Sequence, residues 1–401
     1  MNRRWGSALA GTLLLVLTAA CGGGGGGSGE ASIEGAEKLP VAVISPLTGS
    51  GAGFGWALAG AARIAIDEVN ADGGIELDGQ LYELEAKVVD DKYTPEGTLA
   101  AYNELIRQDG IKILLAPMGS ASALAIKDQI EADQLIAMGN SYTPEMITED
   151  TNYYFRVVAT SNEVAPALWA SYVETYPEVK RVAMIGPDDA TGEGGAALST
   201  EAASAVGVET VSTQFYERGI SDFSAVVTKV LASKPDVIDT ITSPSQDAGL
   251  IIKTARQRGY TGRIMKTGGT SPDDILAVAG PEATEGLFFG QAGDLSSPEV
   301  QAYVEEFRKL TDIPFDSLAI DLHDGFVMGF EALKKAGTLD ADAWVEEMEG
   351  MVPFDGPLKG ELTWGGEETY GADRQMLGKL WLYEVQDGEP TVVGTAQEKA
   401  P

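Results

Sequence analysis

The 401 residues include only one cysteine and one histidine, the two residue types most used in nucleophilic catalysis and zinc binding. The single histidine, His323, argues against most histidine-based triads and zinc sites, and the single cysteine, Cys21, cannot form a disulfide within the chain. The sequence also has no Gly-x-Ser-x-Gly elbow and no phosphate loop of Walker spacing. These absences predict a protein that is not an enzyme and that needs neither a metal nor a cofactor.

The one cysteine stands at the end of an export signal. Arg3 and Arg4 precede an apolar stretch over residues 8–17, and the small residues Thr-Ala-Ala come directly before Cys21. A positive charge, a short apolar stretch and small residues at the cleavage point predict a signal peptide over residues 1–20. The apolar stretch is too short to span a bilayer as a permanent helix.

Cys21 resembles the cysteine of a bacterial lipobox, which is diacylated on its thiol and becomes the mature N-terminus. Thr18 departs from that motif, which usually has leucine there, so ordinary signal cleavage beside an incidental cysteine is the alternative. Residues 22–27 are all glycine, and we predict a flexible tether over residues 21–38. The expected location is extracytoplasmic, with the membrane contacted only through a lipid on Cys21.

Basic residues are scarce in the chain. It has 28 lysines and arginines against 61 aspartates and glutamates. Two of the arginines belong to the signal peptide, so the mature chain keeps 26 basic residues against 61 acidic ones, a formal net charge of −35. Such a surface repels nucleic acid and anionic lipid headgroups, and we expect neither as a partner. The charge of a cleft can still differ from that of the surrounding surface.

Strands alternate with helices along the mature chain. One alternation runs over residues 40–139 and a second begins at Arg181, which predicts an α/β protein with two doubly wound parallel sheets. About 360 residues exceed one hydrophobic core, so two lobes are expected. Later elements are too few for a third domain and must return to both lobes at a multi-crossover hinge. The expected lobes are residues 39–160 plus 290–365 and residues 161–289 plus 366–395.

Several short segments, in a fixed order, are similar to those of one protein family. Residues 41–49 read Val-Ala-Val-Ile-Ser-Pro-Leu-Thr-Gly, and residues 60–70 read Gly-Ala-Ala-Arg-Ile-Ala-Ile-Asp-Glu-Val-Asn. Further matching segments are residues 73–75, 117–122, 143–145, 154–156, 192–194, 222–224, 256–259 and 283–286. Together they resemble leucine/isoleucine/valine-type solute-binding proteins of ABC importers, which are type 1 periplasmic binding proteins. The resemblance implies two Rossmann-like lobes that close over a ligand.

Polar residues of the first lobe follow the ends of predicted strands. In open α/β sheets, ligands bind beyond the carboxyl ends of strands, where helix N-termini present free N–H groups. Ser120 is expected at a helix N-cap, and Ser141 and Tyr142 follow the next strand. By resemblance these two segments hold a ligand carboxylate, and Phe54 occupies the place of an aromatic pocket wall. The alternatives are that Ser120 only caps its own helix and that Phe54 only packs in the core.

The second lobe departs from the amino-acid-binding pattern. Gly268 stands where amino-acid binders of the family place the acidic residue that neutralises the ligand ammonium, and a buried ammonium without a counter-charge would cost several kcal/mol. Thr191 and Ser245 stand at positions that are aromatic in the family. Four carboxylates remain candidates for a relocated counter-charge, although solvated surface is the favoured explanation of each: Asp188, Asp189, Asp247 and Asp273. Arg374 is expected near the hinge, where it meets an anionic ligand or forms an interlobe salt bridge.

The resemblance implies a monomer that binds a small-molecule solute and delivers it to an ABC permease and its ATPases. The missing acid predicts a carboxylate-, amide- or hydroxyl-bearing solute, with a free branched-chain amino acid and a relocated acidic partner as the alternative. A ligand-sensing module of a signalling system is a further alternative, although the chain carries no output domain. A nucleotide-dependent enzyme is disfavoured, because Asp90 and Asp91 lie too far beyond the glycine-rich residues 49–55 to contact a ribose.

Overall fold

The computed structural model describes residues 33–400. The predicted signal peptide, Cys21 and residues 22–32 of the predicted tether therefore lie outside the described residues. The end of that tether differs from the prediction, because Glu37 and Lys38 already belong to a β-strand. Within residues 33–400 no helix is both long and apolar enough to cross a membrane.

Strands and helices alternate through most of the described chain. In order, the strands are β1 Glu37–Ser45, β2 Ile75–Leu77, β3 Gln80–Asp90, β4 Ile113–Leu115, β5 Ile136–Gly139, β6 Tyr154–Arg156, β7 Arg181–Pro187, β8 Glu209–Tyr216, β9 Val237–Asp239, β10 Arg263–Lys266, β11 Leu287–Gln291, β12 Phe354–Gly356, β13 Gly360–Gly365, β14 Gln375–Leu377, β15 Lys379–Gln386 and β16 Glu389–Gln397. The helices are α1 Ala52–Ala71, α2 Pro95–Tyr102, α3 Ser120–Ala132, α4 Ser161–Thr175, α5 Ala190–Ala205, α6 Ser224–Ala232, α7 Ser245–Gln257, α8 Pro272–Ala279, α9 Pro281–Thr284, α10 Pro298–Leu310, α11 Leu318–Ala336, α12 Ala341–Gly350 and α13 Glu367–Tyr370.

The strands form two sheets, one in each lobe. The first has the order β12-β13-β14-β6-β5-β4-β1-β3-β2, and the second has the order β16-β15-β11-β10-β9-β7-β8. Neighbours from β3 to β14 in the first sheet and from β8 to β11 in the second are parallel, whereas the outer strands β2, β12, β13, β15 and β16 pair antiparallel. The predicted α/β class with two parallel-rich sheets is confirmed.

Each sheet is buried on both faces by helices. In the first sheet the side chains of β1 alternate between two apolar clusters, with Val41 and Val43 toward α1 and α11, and Ala42 and Ile44 toward α2 and α3. Apolar runs such as this one are typical of parallel strands covered on both sides. The second sheet likewise separates two apolar clusters. This layering leaves the carboxyl ends of the parallel strands as the polar edge of each lobe.

The chain crosses between the sheets three times, after β6, after β11 and after β14. The last crossover differs from the expected lobe boundaries, because β14 pairs with β6 in the first sheet. The sequence predicts residues 366–395 in the second lobe, but residues 375–377 form β14 in the first sheet. The side chain of Gln375 explains the difference: its Oε1 accepts from Arg156 Nε, and its Nε2 donates to the Val158 carbonyl at 2.9 Å. The terminal segment is thereby held beside β6 before it enters the second lobe.

Candidate functional site

A cleft between the lobes brings together most of the residues selected from the sequence. Its inner cavity is lined by five of them, Phe54, Ser120, Tyr142, Thr191 and Gly268. The first three belong to one lobe and the last two to the other. The remaining lining residues are Tyr93, Met118, Gly119, Asn140, Thr242, Gly269 and Leu318.

Two neighbouring cavities share walls with the inner one. The outer cavity has a volume of about 360 Å³, which is in the range of small-molecule sites, and shares Phe54 with the inner cavity. Ser245 lines this outer cavity. A hinge-side cavity shares Tyr142, Gly268 and Gly269 with the inner cavity. Phe54 is half-buried and also packs against the core of the first lobe, so its core-packing and wall roles coexist.

Ser120 is predicted as the N-cap of a helix, but it is the first residue within α3. Gly119 is the N-cap, with a φ of +92°, and α3 has no side-chain cap hydrogen bond. A Cβ at Gly119 would lie 2.9 Å from the Tyr93 ring, so the close approach of this ring requires glycine. The Ser120 hydroxyl is therefore not used for capping. The helix N-terminus at this cavity wall favours a negatively charged ligand group.

Ser141 and Tyr142 have different surroundings although they are adjacent. Ser141 is fully buried and lines none of the three cavities, and its carbonyl accepts from Arg156 Nη1 at 3.1 Å. Its predicted contact with the ligand is thus at odds with its position. Tyr142 lines the inner and hinge-side cavities. Burial, and then the nearby carboxylate of Asp316, raise the pKa of the Tyr142 hydroxyl, which is therefore a neutral donor.

The backbone explains the small residues of the second lobe. Gly268 has a φ of +100°, in the left-handed region that side chains rarely adopt, and its Cβ position lies 3.3 Å from the Thr242 Cα. An acidic side chain at this position would be strained in the observed conformation. Thr191 lies in the first turn of α5, and its carbonyl accepts a hydrogen bond from the Thr242 hydroxyl at 3.5 Å. Both threonines form part of the inner wall.

The four proposed replacement carboxylates lie in different places. Asp247 lines the outer cavity and accepts from the Tyr216 hydroxyl at 3.0 Å. Asp189 caps α5 and pairs with Arg218, 2.5 Å from its Nε. Asp188 and Asp273 are exposed and line none of the three cleft cavities. Of the four, only Asp247 has its carboxylate at the cleft without a cationic partner.

Asp316 is a cleft residue that sequence reasoning missed. It lies in the loop between α10 and α11, is 7% exposed and lines the outer cavity. Its Oδ1 accepts from the Leu318 backbone N at 3.0 Å. Both carboxylate oxygens lie 3.4 Å from the position of a Cβ on Gly269, whose own nearest ring is that of Phe54 at 3.5 Å. The structure thus places a carboxylate beside Gly269, the neighbour of the Gly268 that resemblance matches to the family's acidic position.

A buried lysine lies behind Asp316. Lys266, the last residue of β10, is fully buried, and its Nζ has no hydrogen-bond partner among residues 33–400. Burial lowers the pKa of Lys266 to about 8, while Asp316 and Asp239 oppose that shift. Burial likewise raises the pKa of Asp239 to about 6, although Asp239 accepts from Thr267 and Ser199. Burial also raises the pKa of Asp316, and Leu318 and Lys266 work against that rise.

The hinge-side cavity contains a second buried charge cluster. Lys359 Nζ lies 2.5 Å from Asp321 Oδ1 and 2.7 Å from Glu398 Oε1, and both carboxylates line the cavity. Burial raises the pKa of Glu398 to about 7. Gln291 also lines this cavity and donates from Nε2 to the Thr270 carbonyl at 3.2 Å, which leaves its Oε1 without a partner in the described chain.

Arg374 lies outside the cleft. Its Nη1 is 2.6 Å from Glu349 Oε1, and its guanidinium stacks over the Phe155 ring at 4.5 Å. Glu349 is in the last turn of α12 and Phe155 is in β6, so these contacts are within the first lobe. Neither predicted role, contact with an anionic ligand or an interlobe salt bridge, agrees with this position.

A known family model, described as "Periplasmic binding protein", matches residues 38–390. The chain belongs to this family. Among curated relatives, an amino acid binding protein of Pseudomonas aeruginosa is 28% identical over 271 residues, 67% of this chain and 71% of the relative. The Leu/Ile/Val-binding protein BraC3 of Rhizobium johnstonii is 26% identical over 355 residues, covering 88% and 92% of the two chains. The resemblance to leucine/isoleucine/valine-type binding proteins is confirmed.

Solved structures of the same fold are known with different solutes. A leucine-binding protein from Thermotoga maritima has a TM-score of 0.74 and 22% identity, covering 89% of this chain and 98% of its own. A solute-binding protein from R. palustris in complex with benzoate has a TM-score of 0.76 and 19% identity, covering 91% and 98%. At these identities the similarity shows the two-lobed fold. Membership in the family implies an extracytoplasmic solute-binding protein.

Proposed function

We propose that this periplasmic binding protein captures a small polar solute by closing its lobes and delivers it to an ABC permease and its ATPases. The observation that supports this most strongly is the inner cavity, whose wall combines residues of both lobes. The neighbouring hinge-side cavity is lined by residues beside the three interlobe crossovers. A solute that contacts both walls favours the closed form, which is the condition for a ligand-driven population shift.

The polar groups of the inner wall define the solute class. The N-terminus of α3 with Ser120 favours a carboxylate or carbonyl oxygen, and Tyr142 offers a neutral hydroxyl. Asn140, Thr191 and Thr242 add amide and hydroxyl groups. We therefore propose a small solute that bears a carboxylate, amide or hydroxyl group. A free amino acid is the second candidate, because Asp316 lies beside Gly269 and provides a carboxylate that the sequence pattern lacks.

Binding is tested with the protein lacking residues 1–28. Mass spectrometry of any copurifying small molecule, followed by calorimetric titration with carboxylic acids, amides, hydroxy acids and amino acids, is expected to find micromolar binding of at least one class. A protein that carries no small molecule and binds no member of the panel would contradict the proposed function.

We further propose that Cys21 anchors the protein to the membrane by a lipid. Its position after small residues supports lipidation, because the thiol of a lipobox cysteine is the acceptor of the diacylglyceryl group. In a host that processes lipoproteins, metabolic labelling with palmitate should mark the wild-type protein, and Cys21→Ser should abolish the label and release the protein from membranes. Equal membrane retention of both forms would contradict the anchor.

A further inference from the structure

The missing acid at Gly268 and the position of Asp316 both determine whether the cleft can neutralise a buried ammonium group. An ammonium group buried in the cleft needs a counter-charge, since an unpaired buried charge costs several kcal/mol. Gly268 cannot supply one, and its positive φ disfavours any side chain there. Asp316 approaches the adjacent Gly269 from the opposite lobe, with both oxygens 3.4 Å from the Cβ position of that glycine. Glycine at position 269 leaves that space to the carboxylate.

Asp316 lies where the inner and outer cavities meet. It lines the outer cavity, and Phe54 lines both cavities. Gly269, which is within reach of Asp316 and of the Phe54 ring, lines the inner cavity. A solute that extends from the α3 N-terminus past Phe54 would therefore bring its far end to Asp316.

The local charges leave Asp316 available for a cation. Lys266 is a buried base that interacts electrostatically with both Asp316 and Asp239, but no salt bridge joins it to Asp316 in the described chain. The positive charge of Lys266 can balance only one of these two carboxylates. Around Asp316, the outer cavity is lined by Asp247, Asp274 and Arg218, and Arg218 is already paired with Asp189. The cleft is therefore acidic on the side of Asp316.

Unsatisfied acceptors at the cleft point to a donor-bearing ligand. Asn140 is 1% exposed and lines the inner cavity, and its Oδ1 has no hydrogen-bond partner among residues 33–400. Gln291 is also 1% exposed, and its Oε1 at the hinge-side cavity is likewise unpaired while its amide nitrogen is engaged. Because buried acceptors are normally satisfied, both oxygens favour a ligand that carries hydrogen-bond donors.

We propose that the solute carries a protonated amine and that Asp316 is its counter-charge, replacing from the first lobe the acid that Gly268 lacks in the second. This inference rests on the proposed solute-binding function and narrows its solute class to amino acids and other amines with a polar or carboxylate end. Asp316 is then a specificity-determining residue, because it separates an amine from its deaminated counterpart.

Matched probe pairs test the inference in the protein lacking residues 1–28. Leucine against isocaproate, phenylalanine against hydrocinnamate and γ-aminobutyrate against butyrate differ by the amine alone. Calorimetry should show that the best-bound amine exceeds its deaminated partner about 100-fold, as expected for loss of a buried charge pair. Asp316→Asn should reduce that preference about 30-fold or more. Asn keeps an oxygen for the Leu318 N–H, so the loop should still fold.

Asp312→Asn is the matched control, because Asp312 is exposed in the same loop four residues earlier. It should leave both the affinity and the preference unchanged. The inference is overturned if wild-type protein binds deaminated probes as tightly as amines, or if a copurified solute carries no amine, and either result leaves the solute-binding function intact. An amine preference that survives Asp316→Asn in folded protein also overturns the role of Asp316. Absence of binding to every probe and to the wider panel counts against the function itself.

Discussion

Ser120 and Tyr142 are the two residues of the first lobe whose hydroxyl groups are expected to bind the solute directly. Tyr142 lines two cavities, and Ser120 begins α3 without capping it. Because a ligand hydrogen bond contributes about 1 kcal/mol, Tyr142→Phe and Ser120→Ala should each weaken solute binding about fivefold to tenfold. Calorimetry gives the affinity, and a thermal melt without solute should be nearly unchanged.

Tyr153→Phe is a control for the tyrosine change. The Tyr153 hydroxyl donates to Asp342 Oδ1 at 2.7 Å, and the residue lines none of the three cleft cavities. Its removal should leave solute affinity unaffected. If Tyr142→Phe lowers the melting temperature strongly and keeps full affinity, then Tyr142 is a structural residue.

His323 makes the stability of the first lobe depend on pH. Its Nδ1 lies 3.0 Å from Asp324 Oδ1 and its Nε2 lies 2.9 Å from Glu68 Oε2. Burial lowers the pKa of the imidazole, but hydrogen bonds to Asp324 and Glu68 outweigh this effect and raise the pKa from 6.5 to about 9. The stabilisation is therefore complete below pH 6.5 and lost as pH rises toward 9, by about 3 kcal/mol in all.

Two measurements check this prediction. The chain has one histidine, so an untagged or Strep-tagged protein gives one imidazole titration by NMR, with an expected midpoint near the raised pKa. Chemical denaturation between pH 7 and pH 8 should show a falling free energy of unfolding. His323→Gln should remove most of that slope. Lys266 has the opposite effect above pH 8, because its lowered pKa makes folding more favourable as pH rises. A histidine that titrates near its ordinary pKa would contradict the ion-paired geometry.

At the residue scale, the sequence predicted location best where a strand end determines position. The inner cavity contains Phe54, Ser120, Tyr142, Thr191 and Gly268 because the carboxyl ends of parallel strands meet at one edge. Whether each of them binds the solute stays a prediction.

Residues set by long-range geometry were misplaced or missed. Ser141 is buried outside the lining of the three cavities, and its carbonyl accepts from Arg156. Arg374 forms an ion pair with Glu349. Asp316 reaches the cleft only because the chain returns to the first lobe before α11, and nothing local in its sequence distinguishes it from the exposed Asp312.

Helix α11 packs closely against the first sheet at two glycines. A Cβ on Gly325 would lie 2.3 Å from the Val157 Cβ, and one on Gly329 would lie 2.1 Å from the Met138 sulfur. Because the Val157 atom is the start of a stiff side chain, Gly325→Ala should force the helix away from the sheet. We expect a loss of about 1–3 kcal/mol in the free energy of unfolding, measured by urea denaturation.

Gly194→Ala is the matched control within another helix. Gly194 is exposed in α5, and its Cβ position has no atom within 4 Å. Alanine there should stabilise the protein by about 0.5–1 kcal/mol through helix propensity. Equal effects of the two substitutions would contradict close packing at α11.

Whole elements were predicted well wherever the apolar pattern was long. Helix α11 has a buried face that recurs at helical spacing over 19 residues, a pattern that predicts a helix. Helix α4 begins with a capping box of Thr160 and Glu163, but it lies between the two predicted alternations. The short strands β12 to β14 belong to the later elements, for which the sequence predicts no bounds. Strands of three to six residues on a sheet edge are specified by their pairing partners more than by their own residues.

At the scale of the molecule, the acidic charge of the chain and the acidic side of the cleft have the same sign. A cationic solute, one that carries an amine and no carboxylate, would be attracted by both, and attraction between exposed charges is screened by salt. We expect the association rate of such a cationic amine, measured by stopped-flow tyrosine or tryptophan fluorescence, to fall as sodium chloride rises from 20 to 500 mM, while a neutral amide or a zwitterionic amino acid shows a smaller change. An association rate that rises with salt would indicate that the cleft presents positive charge to the solute.

Closure of the two lobes over a solute should change the dimensions of the molecule in solution. A solute in the inner cavity touches residues of both lobes, so its contacts are complete only when the lobes are close together. Converting a mostly open population to a mostly closed one needs a preference of about 10⁴-fold, or about 5.5 kcal/mol, for the closed form. Small-angle scattering of the protein lacking residues 1–28 should therefore show a smaller radius of gyration at saturating solute. Tyr142→Phe should reach the same final radius at a higher solute concentration, because it weakens the solute's contacts without changing the hinge. A radius that stays constant while calorimetry reports binding would mean that the lobes do not move with the solute, and the permease would then have no closed form to recognise.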